Sequence, residues 1–115
     1  MSGKISTHVL DTTRGKPASD MPVRLEWQEA PDRWRLLASA RTDQDGRCGQ
    51  LLPEGESLRT GNYRLSCDTE HYFAAQKIVG LYPQVQIVFS VREGETHFHI
   101  PLLLGPFGYT TYRGS

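Results

Sequence analysis

The chain has 115 residues, with thirteen basic side chains balanced by thirteen acidic ones. That length sets an expectation of one domain, residues 1–115, with one modest core. The neutral charge argues against a nucleic-acid or anionic-membrane surface, and the longest apolar run, Ile100 to Leu104, is interrupted by Pro101 and far too short for a membrane helix.

Period-two alternation dominates from the start. Lys4 to Leu10 places Ile5, Thr7 and Val9 on one face of a strand and Ser6, His8 and Leu10 on the other. Pro22 to Gln28 sends Val23, Leu25 and Trp27 one way and charged residues the other. Arg33 to Arg41 pairs back across the turn cluster Ala30-Pro31-Asp32. Asp43-Gln44-Asp45-Gly46 is a further turn, with Gly46 free to take positive φ. Cys48 to Leu52 reads as a short strand broken by Pro53-Glu54-Gly55-Glu56, and Tyr63 to Cys67 as the next.

One helix follows. Asp68 or Thr69 caps it, Glu70 sits in its first turn, Tyr72, Ala75 and Gln76 recur at helical spacing, and Gly80 is the expected stop. Val85 to Val91 alternates Val85, Ile87, Phe89 and Val91 against polar neighbours. Arg92-Glu93-Gly94-Glu95 turns the chain into His97 to Leu104, where Phe98 and Ile100 face the core and His97 and His99 face out. Gly105-Pro106 ends that strand before a last one from Tyr109 to Arg113. Seven or eight short strands with frequent turns indicate an antiparallel sandwich.

The two cysteines, Cys48 and Cys67, lack partners at zinc-ligand spacing and read as reduced, packed thiols. MSGKISTHVLD contains no apolar signal core, so a cytoplasmic address is expected. A small sandwich fills its interior with its own side chains, so a binding site belongs on an outer face, where pairing of subunits can make it concave. His8 and His99 are outward residues by this reasoning. Tyr112-Arg113-Gly114-Ser115 carries an aromatic ring, a guanidinium and a hydroxyl where a fraying terminus would be small and polar, so the tail is expected to be docked.

Three motifs carry a resemblance. They are Thr7-His8-Val9-Leu10-Asp11 with Gly15-Lys16-Pro17-Ala18, the turn Gly46 followed by Arg47, and HFHIPLLLGPFGYTTYRGS from His97 to Ser115. Together they resemble the 5-hydroxyisourate hydrolases, the enzymatic branch of the transthyretin family, and the likeness runs over essentially the whole chain. It implies a transthyretin-like antiparallel sandwich of two four-stranded sheets and one short helix. It implies a homotetramer, a dimer of dimers, with active sites in clefts between dimers. The implied reaction is hydrolysis of 5-hydroxyisourate to 2-oxo-4-hydroxy-4-carboxy-5-ureidoimidazoline in urate breakdown, with no metal and no organic cofactor.

Carried residue by residue, the likeness marks His8, Arg47 and His99 as catalytic. His8, Arg47, Tyr112 and Ser115 bind substrate, and His97, Arg113 and Gly114 stand behind them. The chemistry suits the types: a neutral imidazole deprotonates water near pH 7, and a guanidinium stabilises the oxyanion formed at the ring carbonyl. Two departures from the motif, Gly105 before Pro106 and Thr110-Thr111 before Tyr112, remove none of these groups.

Other readings compete. A His-x-His strand pair with His8 as a third ligand could hold zinc, although no carboxylate accompanies the set. Trp27, Trp34, Tyr109 and Tyr112 are the aromatic types that pack sheets, and His71 has no assigned role. A carrier of a hydrophobic ligand on the same fold would have Lys for His8, Glu for Arg47 and Thr for His99. A passive binding module has no use for such elaborate termini.

Overall fold

Alternation becomes strand wherever it runs for more than a few residues. The computed structural model describes residues 3–115. In chain order it has β1 (Lys4–Asp11), β2 (Lys16–Pro17), β3 (Pro22–Ala30), β4 (Arg33–Arg41), β5 (Arg47–Cys48), β6 (Gly61–Cys67), the helix α1 (Thr69–Ala74), β7 (Val85–Val91), β8 (His97–Gly105) and β9 (Gly108–Thr111).

These strands form two sheets. One runs β4-β3-β6-β7; the other runs β2-β1-β8-β9, with the two-residue β5 also paired to β1. Counting β2 and β5, the second sheet has five strands, one more than the four-stranded layer anticipated. Its central pair, β1 and β8, is parallel over eight residue pairs from Lys4↔His97 to Asp11↔Leu104. Alternation says nothing about the direction of a partner, and two strands from opposite ends of a chain are free to run side by side.

The inward faces are the expected ones. Ile5, Val9, Phe98, Ile100, Leu102 and Leu104 of one sheet meet Val23, Leu25, Tyr63, Leu65, Val85 and Val91 of the other. Each such side chain contributes about 1.5–3 kcal/mol when fully removed from water. Tyr63, Phe89 and Phe98 form a stack that crosses between the sheets, with ring centroids 5.8 Å apart at each step. Thr7, also inward, is buried and donates its hydroxyl to the Ile100 carbonyl at 2.7 Å, which ties β1 to β8 from inside the core.

Two elements differ from expectation. Cys48 to Leu52 is not a continuous strand: ladder pairing stops at Cys48, and the Gln50 side chain takes over. Its Oε1 accepts from Ile5 N at 3.2 Å and Leu52 N at 3.0 Å, while Leu51 N donates to the Ile5 carbonyl at 2.7 Å. Asp68 caps α1 as anticipated, accepting from His71 N at 3.0 Å. The stop is not Gly80 but Lys77, which takes the left-handed conformation at φ 59° after the helix ends at Ala74. Gly80 serves a close approach instead, because a Cβ there would lie 2.9 Å from the Pro106 carbonyl oxygen.

Candidate functional site

Because Ile5, Thr7, Val9 and Asp11 are buried, Lys4, Ser6 and His8 stand on the outer face of β1. On β8, burial of Phe98 and Ile100 sends His97 and His99 to that same outer face. Register then decides which of these residues meet. Ser6 lies beside His99 and Lys4 beside His97 across the parallel pair. On the other edge of β1, His8 lies opposite Arg47 of β5. Side chains directly opposite each other share a face.

Arg47 is delivered there by its turn. Gly46 has φ 75°, and its carbonyl accepts from Val9 N at 2.7 Å, so the turn is pressed onto β1. A Cβ at Gly46 would collide with the Val9 carbonyl oxygen, so only glycine permits the approach. The Asp43 carboxylate accepts from Asp45 N and from Arg47 N, each at 2.9 Å, and orients the start of β5.

These residues surround a cleft of about 300 Å³ lined by Lys4, Ser6, Arg47, His97, His99 and the tail residues Gly114 and Ser115, among others. No acidic side chain lines it, and among the described residues no carboxylate pairs with Lys4 or Arg47. His8 is not itself among the lining residues; it stands on the same outer face, directly opposite Arg47.

His99 is the most constrained of the imidazoles. Its Nδ1 lies 2.8 Å from Ser6 Oγ. Gly114 bridges to it through the backbone, with Gly114 N donating to the His99 carbonyl at 2.8 Å. Partial burial holds the His99 imidazole below its ordinary value, and the nearby Arg47, His8 and Lys4 act in the same direction. Both effects favour the neutral ring, the form that can accept a proton.

The tail is docked, although unevenly. Arg113 pairs with Glu95 at 2.8 Å, donates to the His97 carbonyl at 3.0 Å and lies over the Phe98 ring at 4.5 Å. It therefore clamps the chain end to the start of β8 and leaves Gly114 and Ser115 at the cleft. Tyr112 does not line the cleft. It is exposed and borders a separate groove with Ile87, Phe89, Phe98 and Ile100.

Of the residues expected at the site, the fold thus gathers His8, Arg47, His97, His99, Gly114 and Ser115 on one outer face, has Arg113 anchor the tail, and leaves Tyr112 apart. Two further residues, Lys4 and Ser6, belong to the cleft and were not anticipated. Their signal was the same alternation that placed His8, since all three occupy alternate positions of one strand. Among the described residues, no three His, Cys, Asp or Glu side chains converge as metal ligands.

A set of imidazoles beside the Arg47 guanidinium, which no carboxylate pairs among the described residues, can activate water and hold a carbonyl-rich or anionic heterocycle. Comparison with known proteins points the same way. A profile of the HIUase/Transthyretin family matches residues 5–114. The 5-hydroxyisourate hydrolase of Mus musculus is 44% identical over 115 residues, spanning 99% of this chain and 97% of that protein. The solved structure of Klebsiella pneumoniae 5-hydroxyisourate hydrolase is 36% identical, superposes with a TM-score of 0.85 and covers 100% of both chains. Sea bream transthyretin in complex with thyroxine superposes with a TM-score of 0.89 at 29% identity, covering 96% of this chain and 94% of that one.

Proposed function

The chain belongs to the HIUase/Transthyretin family, and from that membership we propose that it is the hydrolase that opens 5-hydroxyisourate in urate breakdown. The single observation that carries the reading is the meeting of Arg47 and His99 in one cleft, with His8 directly opposite Arg47. Backbone shape alone does not separate enzyme from carrier, because the thyroxine-bound transthyretin superposes at least as well as the hydrolase.

In the proposed reaction, water attacks the ring carbonyl while an imidazole accepts its proton. The carbonyl π electrons move onto oxygen, and the resulting oxyanion is held by Arg47. When the tetrahedral species collapses, the C–N bond breaks and the proton passes from imidazolium to the departing nitrogen. A positioned base typically contributes about 10²–10⁴ in rate, and an oriented charge at the oxyanion about 10²–10³. His99 serves as the base because its environment favours the neutral ring. His8 and Arg47 grip the polar edge of the substrate, and Ser115 adds a hydroxyl at the cleft mouth.

The same reading includes a homotetramer built as a dimer of dimers, whose neighbouring subunits deepen the cleft. Exposed Val79, Leu81, Phe107 and Tyr109 support association, as does the near-zero net charge. A cytoplasmic location is supported by Cys48 and Cys67, both free and buried. Burial pushes the Cys67 thiol up to about 12, so it has no nucleophilic part.

The test is an ultraviolet assay with freshly generated 5-hydroxyisourate, run on wild type and His99→Ala. The expected result is fast decay with wild type and loss of most of it in the variant, with the circular dichroism unchanged. Decay no faster than in buffer would refute the hydrolase. Repeating the assay after dialysis against a chelator is expected to change nothing; activity lost and then restored by zinc would show metal dependence.

A further inference from the structure

The hydrogen bond between Ser6 and His99 joins residues 93 positions apart in the chain. It forms because β1 and β8 run parallel in a register that sets Ser6 beside His99 on the outer face. The ring has little room to turn. Gly114 lies against its Cδ2 edge so closely that an added Cβ would overlap that atom, and Pro101 stands behind Gly114. With Nδ1 engaged by Ser6, Nε2 is the ring nitrogen left for chemistry.

We propose that Ser6 is a positioning residue: its Oγ accepts a hydrogen bond from His99 Nδ1–H, which fixes the ring and leaves the Nε2 lone pair to take the proton from water. The part concerning water rests on the hydrolase reading; the part concerning the ring does not.

A neutral imidazole carries one N–H, and the partner of one nitrogen decides where that proton sits. A serine hydroxyl can accept or donate. If Ser6 donated, Nε2 would hold the proton and could not act as a base. A carboxylate in the same place would also orient the ring, but its charge would favour imidazolium. A hydroxyl orients without that penalty, which suits a ring already kept neutral by burial and by the cations around it. No other protein partner engages the Ser6 hydroxyl among the described residues, so its own proton is free to point into the cleft.

The experiment reads the ring nitrogens of His99 by long-range ¹H–¹⁵N correlation at pH 8 in wild type, Ser6→Ala and Ser6→Thr, with His99→Ala for assignment, and then measures kcat and KM. In wild type the Nδ1–H tautomer is expected. Ser6→Ala should shift the ring toward Nε2–H and lower kcat roughly tenfold, about the worth of one hydrogen bond, with KM little changed. Ser6→Thr should restore both the tautomer and the rate. An Nε2–H ring in wild type, or ring shifts and kcat that ignore Ser6→Ala, would overturn the proposal. If Ser6→Ala fails to fold, the wild-type tautomer together with Ser6→Thr still decides it. The spectra need no substrate, so a protein without turnover would sink the hydrolase reading and leave this measurement standing.

Discussion

Gly114 and His99 are in direct contact: the Gly114 amide donates to the His99 carbonyl at 2.8 Å, and a side chain on Gly114 would strike the imidazole. Glycine is therefore required near the chain end for steric reasons, although no turn or positive φ demands it. Gly114→Ala should displace the ring or undock the tail. A misplacement of about 1 Å can cost up to about 10²-fold in rate. The expected outcome is a kcat reduced by between tenfold and that limit, with a thermal midpoint close to wild type. Normal turnover would separate the tail from the reaction.

His99 lies below its ordinary value of 6.5 because of burial, then Arg47, His8 and Lys4. The acid limb of kcat/KM should therefore fall below pH 6.5, and an NMR titration of His99 should show the same midpoint. Arg47→Gln removes a cation and should move the NMR midpoint upward. The sign for stability follows from linkage. The unfolded ring protonates first on acidification, so the contribution is intact above the unfolded value and is lost as pH falls through the folded one. A midpoint above 6.5 in wild type would contradict this electrostatic account.

Arg113 holds the tail through Glu95 and the His97 carbonyl, and its hydrogen bond keeps the Glu95 carboxyl below the usual range. Arg113→Ala should raise KM, because Gly114 and Ser115 lose their anchor at the cleft. Exposed ion pairs contribute little to global stability, so the thermal midpoint should stay near wild type. A large drop in the midpoint with KM unchanged would assign Arg113 to folding instead.

Asp11, almost fully buried at the end of β1, accepts from Tyr72 Oη at 2.7 Å and from Thr13 N and Arg14 N at 3.1 Å each. Burial is the main cause that pushes the Tyr72 phenol up, and its bond to Asp11 adds to it. Tyr72→Phe leaves a buried carboxylate one donor short, which costs about 1–3 kcal/mol. Urea unfolding should register that loss with kcat unchanged, because the pair lies on the core side of β1. An equal loss of activity would show that β1 shifts when the bond is removed.

Faces were legible in the sequence, and neighbours were not. The alternation of Ile5, Thr7 and Val9, and of Phe98 and Ile100, placed the core sides of β1 and β8 correctly, and with them the outward imidazoles. Which strand lies beside which, and in what direction, is a long-range matter that a local period does not encode. The parallel β1–β8 pair, and with it the Ser6–His99 contact, depended on that missing information. Lys77 ended the helix where Gly80 was expected, because a non-glycine residue accepted the left-handed conformation. Cys48 to Leu52 was read as one short strand, yet past Cys48 the Gln50 amide replaced the ladder bonds. Tyr112 was expected with the tail hydroxyls, and it borders a groove of its own.

The parallel pairing of β1 with β8 also has a temporal meaning. During synthesis, Ser6 and His8 leave the ribosome long before His99 is made, and the tail that seats the His99 ring comes later still. The cleft cannot exist before His99 and Gly114 have been made, so its assembly waits on the closure of one very long loop. Joining residue 4 to residue 115 by a short linker and opening the ring at the β3–β4 turn would bring those strands together early, and would make the order of assembly an experimental variable.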